Sequence, residues 1–319
     1  MEKICVILVN YNGQKYNDNC LASIFASTVA DRIQVVIVDN GSTDGSLKSL
    51  QDTWGGEKRV HIIPLNVNSG FAKANNVGIR WAMEQGMNYY LLLNNDTEIA
   101  GDAIEQMWNC HKEKGCIVTP KIYYADQKDV LWSAGGRFTP VIKKPVQMGC
   151  NQKDSGEFSK NRDCDFANGC AVFLDRTILE KTGLLDESFF LYYEDTEFSM
   201  RAHKMGIPIY YCAQAKVYHK VNGSTKGNQS EANVYYITRN WLIYVKLHLG
   251  WRRILFWPYF ILNRLVWGFL WLLQGKPQMI GAMCSGIKDY FVWRDRPEEY
   301  HDQYICHRDD DRRDEGWKK

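Results

Sequence analysis

The chain has 319 residues, enough on the usual scale of roughly 100–200 residues per domain for two domains or one large α/β unit with an appendage. Apolar residues make up 45% and charged residues 24%, which excludes a disordered, low-complexity or collagen-like chain. Thirty-nine Lys and Arg against thirty-seven Asp and Glu leave a formal charge of +2, which excludes a chain dedicated to coating nucleic acid and makes any charge signal local. The ten cysteines form no CxxC pair and read as small buried residues kept reduced in a cytosol. The apolar run 4–9 is shorter than a signal-peptide core and leads straight into Asn10, Tyr11 and Asn12, so it reads as a first buried strand.

In chain order, ICVILVN (4–10), QVVIVDN (34–40), VHIIPL (60–65) and YYLLLNN (89–95) are short, nearly continuous apolar runs, as expected for strands covered on both faces. Helices are predicted near 15–27, 43–53 and 70–86, the second capped by Ser42 and Thr43. Strands alternating with amphipathic stretches imply βαβ units and a mostly parallel sheet. A less regular stretch, 121–168, reads as short strands and a long loop. CAVFLDR (170–176) is a further strand, 176–183 and 195–206 are helices ending at Gly183 and Gly206, and 208–219 reads as a strand pair. The tail 308–315 is a solvated charged end.

From about 239 the composition changes. Residues 239–296 hold nine Arg and Lys against two Asp, together with six Trp. Residues 254–273 are long enough to cross a bilayer, but Arg264 at mid-span would cost about 2.5–3.5 kcal/mol and Pro258 adds a kink. Arg252–Arg253, Asn263–Arg264 and Gln274 recur every eleven residues, close to three helical turns, so they share a face. A helix lying in the membrane interface, its basic groups towards headgroups, fits this pattern; a spanning helix and a packed or oligomer-forming helical pair stay open.

In open sheets of this kind, ligands sit outside the carboxyl ends of the strands. There the chain offers Asn10 and Tyr11, then VDNGSTDGS with Asp39, then NSGFAKANNVGI with Asn68, Gly70, Lys73 and Asn75, then LLLNNDTEI with Asn94, Asn95 and Asp96. Asp96 is a natural ligand for a magnesium or manganese ion that completes its shell with phosphate oxygens. Each cluster alone also reads as an ordinary βα turn. Glu194, Asp195 and Glu197 likewise suit an acidic first helical turn, and His219 a hydrogen-bonded strand end.

Together, ILVNYNG, VDNGSTDGS, NxGFAxANNxGI, LLLNNDTEI, FANGCAVFLDR, FFLYYEDTEFSMRAHKMG and VYHKVNGST, in this order over residues 3–245, resemble the family 2 glycosyltransferases of the GT-A fold, in particular the rhamnosyltransferase-like subgroup. The resemblance implies an α/β, Rossmann-like sheet and an inverting transfer of sugar from a nucleoside diphosphate to an acceptor hydroxyl. It matches Asp39 to the nucleoside site, Asn94–Asn95–Asp96 to a DxD motif whose first acid is here Asn, Asp195 to the catalytic base with Glu194 beside it, and His219 to a histidine that helps hold metal and diphosphate. It sets Trp132, Gly136, Asn168 and Gly169 on acceptor-side loops. Arg239, in a YYxxRN segment, would either reach a donor or lipid diphosphate or start a solvated helix.

The expectation is therefore a catalytic domain over 1–238 and a basic, Trp-rich, membrane-associating region over 239–319. The enzyme would use Mg2+ or Mn2+, a nucleoside-diphosphate sugar such as dTDP-L-rhamnose, and a lipid-linked or glycan acceptor, at the cytoplasmic face of a bacterial inner membrane, as a peripheral or monotopic protein. A homodimer stays open, and no nucleic-acid partner is expected. A sugar nucleotidyltransferase would want a glycine-rich, basic phosphate loop after the first strand, where NYNGQKYN offers one glycine. A catalytically silent membrane scaffold would be expected to lack Asp96 or Asp195, and both are present.

Overall fold

The computed structural model describes residues 2–220 and 230–295. Residues 221–225 of the VYHKVNGST run, Arg296, Cys306 and the tail 308–315 lie outside the described residues. The chain runs β1 (Ile4–Asn10), α1 (Asn17–Phe25), β2 (Ile33–Asn40), α2 (Ser46–Trp54), β3 (Val60–Leu65), α3 (Phe71–Glu84), β4 (Tyr89–Asn94), β5 (Thr97–Ile99), α4 (Ala103–Lys114) and β6 (Ile117–Tyr124). It continues through β7 (Gln127–Ser133), β8 (Gly136–Phe138), β9 (Pro145–Gln147), β10 (Arg162–Cys164), β11 (Ala171–Asp175), α5 (Arg176–Thr182), α6 (Glu194–Lys204) and β12 (Ile209–His219). Three helices follow: α7 (Glu231–His248), α8 (Arg253–Leu273) and α9 (Pro277–Asp295).

One sheet has the order β10-β12-β6-β11-β4-β1-β2-β3, with β5 on β12 and β7 on β6. Its β3-β2-β1-β4 half is parallel, and β11 then pairs antiparallel with β4, so the sheet is mixed beyond that point. Successive residues of β1 point to opposite faces. Ile4, Val6 and Leu8 pack with Leu21, Ile24, Ile104 and Met107 on one face, and Cys5 and Ile7 pack with Val36, Val38, Ala72 and Ile79 on the other. Burial on both faces is why the strands read as unbroken apolar runs. The nine cysteines among the described residues are unbridged.

Two local expectations are corrected. Helix α2 starts at Ser46, not 43, behind Gly45 in the left-handed conformation at φ +85°, with the Asp44 side chain accepting from the Ser46 N–H at 2.9 Å. Ser42 and Thr43 are held instead by the end of β1: the Ser42 hydroxyl accepts from Asn10 and from the Asn12 N–H, and the Thr43 N–H donates to Asn12. Residues 208–219 form one strand rather than two. β12 pairs with β6 on both sides of a bulge between Cys212 and Lys216, so the chain bends without leaving the sheet.

The composition change near 239 falls inside α7, which runs unbroken from 231 to 248 with Tyr235, Tyr236 and 240–245 buried. Helix α9 packs along α7, and α8 packs on both through Phe256, Phe260 and Trp271. The opposite side of α8 is open: Ile254, Leu262, Leu265, Phe269 and Leu273 are each more than 60% exposed, the last four at three- and four-residue steps and Ile254 eight residues before the first of them. The expectation of one shared polar face is corrected too. Arg252, Arg253 and Gln274 are exposed, whereas Arg264 turns inward, donating to the Thr238 hydroxyl at 2.9 Å with its guanidinium 5.5 Å from the Trp241 ring.

Candidate active site

The parallel half of the sheet delivers its strand ends at one level. Asn10 lies in register with Asp39, and Val9 with Asn94. The Asn10 amide donates to the Asp39 carboxylate at 2.6 Å and to the Ser46 hydroxyl at 2.9 Å, while its carbonyl accepts from Asn17 at 2.9 Å and Asn95 at 3.0 Å. The Ser42 N–H donates to the second Asp39 oxygen at 3.2 Å. Asp39 is thus buried and oriented from two sides. A side chain at Gly13 would run into the amides of Asn95 and Asn10, so glycine is required beside this network.

A second polar knot joins β2 to α3. The Asn40 amide donates to Asn68 at 2.9 Å, its carbonyl accepts from the Ser69 N–H at 2.8 Å, and Asn68 accepts from the Gly70 N–H at 3.0 Å. Gly70 has φ +87°, and a Cβ there would strike the Phe190 carbonyl, which accepts the Phe71 N–H at 2.7 Å. Lys73 is exposed on the first turn of α3, and Tyr11 is half-buried beside Asn10. Asn75 faces inward and donates to the Phe71 carbonyl at 2.9 Å, one helical turn back.

Beyond β4 lie the acids. Asp96 is buried with Oδ1 3.1 Å from His219 Nε2, and β12 brings His219 there by pairing it with Thr97. Burial opposes the charged imidazole, yet the adjacent Cys170 and Asp96 hold its proton affinity well above the ordinary histidine range. The Trp132 ring lies edge-on to His219 at 5.8 Å. Among the described residues the Asn94 side-chain oxygen is buried without a hydrogen-bond partner. Among the described residues no three His, Cys, Asp or Glu side chains gather into a metal cluster. The donor set nonetheless suits a magnesium- or manganese-type ion, which uses one or two protein ligands and takes waters and phosphate oxygens for the rest.

Residues 168–170 tie this corner to the next. The Asn94 N–H donates to the Cys170 carbonyl at 2.9 Å, the Cys170 N–H donates to Asn168 at 2.9 Å, and the Gly169 N–H donates to the Asp195 carboxylate at 2.9 Å. The other Asp195 oxygen accepts from the Thr196 N–H at 2.6 Å. Burial pushes both Asp195 and Glu194 above the ordinary carboxylate range, and the Asp195 charge adds to the effect on Glu194. Glu194 Oε2 is buried with no partner. Gly136 lies on β8, where a Cβ would meet the Phe166 ring; it belongs to the wall leading into Asn168.

Arg239 departs from one of its two sequence expectations. It is fully buried eight residues into α7 and donates to the Ser188 carbonyl at 3.0 Å and to the neighbouring Asn240, so it does not open a solvated helix. Asn240 donates to the carbonyls of Leu191 and Tyr192 at 2.8 and 2.7 Å. These two residues hold the loop that enters α6. Tyr192 and Tyr193 both lie in the left-handed region, at φ +68° and +73°, immediately before Glu194 and Asp195. Sequence reasoning missed Asn17, Asn40, Ser46 and Asn240. A polar residue closing a β-branched run marks Asn40, whereas the others carry no local signal.

Residues 5–183 match the profile of Glycosyl transferase family 2, more than half of the chain. The low-salt glycan biosynthesis hexosyltransferase Agl10 of Haloferax volcanii is 28% identical over 242 residues, 75% of this chain and 74% of that protein. The dTDP-rhamnosyl transferase RfbF of Shigella flexneri is 26% identical over 248 residues, 74% of this chain and 78% of that protein. Among solved structures, GalNAc-T7 with UDP, GalNAc and Mn2+ superposes with a TM-score of 0.57 at 15% identity, covering 75% of this chain and 48% of that one, a likeness of fold. The chain belongs to glycosyl transferase family 2 and is a glycosyltransferase of the GT-A fold.

Proposed function

We propose that this glycosyltransferase is an inverting, divalent-cation-dependent enzyme. It moves a hexose from a nucleoside diphosphate, with dTDP-L-rhamnose the first donor to test, to a lipid-linked or polysaccharide acceptor in cell-surface glycan synthesis. The carrying observation is that one short segment, 168–170, joins a buried carboxylate, Asp195, to the end of β4 at Asn94, two residues before Asp96 of the Asp96–His219 pair. Inverting displacement needs those two functions on opposite sides of the anomeric carbon. The relatives named for hexosyl and rhamnosyl transfer support the donor class.

In this reading Asp39 and the Asn10 network orient the nucleoside, with Tyr11, Asn68, Gly70, Lys73, Asn75, Asn94 and Asn95 lining the donor side. A cation bound by Asp96, and by His219 once the ion has displaced its proton, would neutralise the charge that develops on the departing diphosphate. Asp195 takes the proton of the attacking hydroxyl, and its raised proton affinity improves it as a base. Glu194, protonated beside it, donates a hydrogen bond to the acceptor. Trp132, Gly136, Asn168 and Gly169 bound the acceptor side. Residues 1–238 carry this chemistry, and the open apolar side of α8 seats the enzyme on the cytoplasmic face of the membrane.

Calorimetric titration with dTDP-rhamnose, UDP-glucose, UDP-galactose and GDP-mannose tests the reading. One donor should bind with manganese or magnesium and lose affinity on chelation. Binding of none by the folded protein, or equal binding after chelation, would contradict it.

A further inference from the structure

Two cations share one ring, Trp241 of α7, between the start of β9 and α8. Arg264 sits 5.5 Å from the Trp241 ring, and Lys144 sits 5.9 Å from the same ring and 6.0 Å from Tyr259, whose hydroxyl it reaches at 3.4 Å. The remaining hydrogen bonds of Arg264 go to neutral groups, Thr238 and Asn263. Among the described residues neither cation forms an ion pair, although both are half-buried. Trp241 is 3% exposed, and its indole N–H is buried with no acceptor. Guanidinium, ammonium and indole N–H donate and do not accept, so two cations and an N–H lie about one ring and, among the described residues, no anion meets them. Partly desolvated cations without a counter-charge are costly, and an anionic ligand relieves that cost.

Two further features restrict the anion. Outward of Arg264 on the same helix runs the exposed apolar stripe, with a shallow depression lined by Ile254, Trp257, Pro258, Ile261, Leu262 and Leu265. Inward, Tyr193, two residues before Asp195, packs against the same cluster as Trp241. A ligand whose anionic head meets Lys144 and Arg264 would therefore have hydrocarbon on its outer side and the proton-accepting carboxylate on its inner side.

We infer that Lys144, Trp241 and Arg264 form the anchoring site for the diphosphate of a lipid-linked acceptor. This rests on the reading of the enzyme as acting on a lipid-borne acceptor at the membrane. The cluster holds the acceptor's headgroup, α8 lies along its hydrocarbon, and the sugar extends towards Asp195.

The test is flotation of the full-length protein with three kinds of vesicle: phosphatidylcholine alone, phosphatidylcholine doped with a polyprenyl diphosphate, and phosphatidylcholine doped with phosphatidylglycerol at matched charge. The parent should favour the diphosphate vesicles, and Lys144→Gln and Arg264→Gln should each lose about tenfold of that preference, the scale of a charge-assisted hydrogen bond. Arg264→Lys should retain part of it, and binding to plain phosphatidylcholine should not change. Lys144, at the strand edge, is the variant least exposed to misfolding. Retained preference in both Gln variants, an equal gain from phosphatidylglycerol, or equally tight binding of inorganic pyrophosphate without lipid would overturn the assignment. Calorimetry with donor, run in parallel, separates the two claims. A parent that binds donor yet shows no diphosphate preference loses only the anchoring site, whereas one that prefers diphosphate vesicles and binds no donor keeps the site and loses the transferase mechanism.

Discussion

Three carboxylates open α6, and their surroundings divide their roles. Glu197 is held by Arg201 at 2.6 Å and His248 at 3.2 Å; burial raises its proton affinity, but these partners outweigh that and keep it ionised. Asp195 is raised by burial and pulled partway back by the Gly169 and Thr196 N–H groups. Glu194 has only its own N–H as such a donor and is raised further by the Asp195 charge, so it is the member of the pair that keeps its proton. Two outcomes follow at this scale. The acidic limb of the kcat/KM profile should lie above the ordinary carboxylate value of about 4, because the base must lose its proton before it can act; a limb at or below that value would contradict it. Glu194→Gln replaces a neutral carboxyl with a neutral amide, so acceptor KM should rise by less than about tenfold with the pH profile unmoved. The sequence displayed the Glu194–Asp195 pair and the direction of its coupling through adjacency alone. It could not display burial, which is the larger cause.

The loop from Ser188 to Tyr193 is the element on which the site depends. It touches α3 through the Phe190 carbonyl, is clamped from α7 by Arg239 and Asn240, and ends in two left-handed tyrosines that aim Glu194 and Asp195. Asn240→Ala should therefore cost about 1–3 kcal/mol of stability by orphaning two carbonyls, and should lower kcat while donor affinity stays as in the parent. Equal loss of kcat and donor affinity would argue against a clamp acting on the base. Elements of this kind separate what was legible from what was not. Of the four parallel strands, β1, β2 and β4 could be read because both their faces are buried, so their apolar runs are continuous, whereas β3, at the sheet edge, is only half-buried and its run is broken by His61. The start of α2 shifted by three residues because Asn10 and Asn12, thirty positions away, recruit Ser42 and Thr43. The bulge in β12 and the clamp by Arg239 depend on partners distant in sequence, which no local pattern records.

At the scale of the whole molecule, α8 carries an exposed apolar stripe of a kind ordinary soluble surfaces do not carry, and with a near-neutral charge the proposed membrane contact would be driven by that apolar area. Removing residues from 239 onward would cut α7 inside its buried run and so would report on stability. Leu262→Asp with Phe269→Asp changes only exposed positions. That double variant should keep the parent's thermal midpoint and no longer float with phosphatidylcholine vesicles, and continued flotation would exclude α8 as the contact. The basic, Trp-rich composition was legible from 239 onward. The inward turn of Arg264 was not, because helical spacing groups polar residues without saying which of them find a partner on α7.

The most direct measurement of the central claim, that Asp195 removes the acceptor proton opposite the donor's leaving group, is single-turnover transfer by Asp195→Asn alongside donor affinity and thermal stability. A carboxyl whose folded-state proton affinity is raised stabilises the fold at low pH and loses that contribution as pH rises through its folded-state value. Removing its charge should therefore leave the protein as stable as the parent at neutral pH, or more so. Transfer should fall by about a thousandfold with donor affinity unchanged. Transfer near the parent rate, or donor affinity lost in a variant that remains folded, would contradict the account.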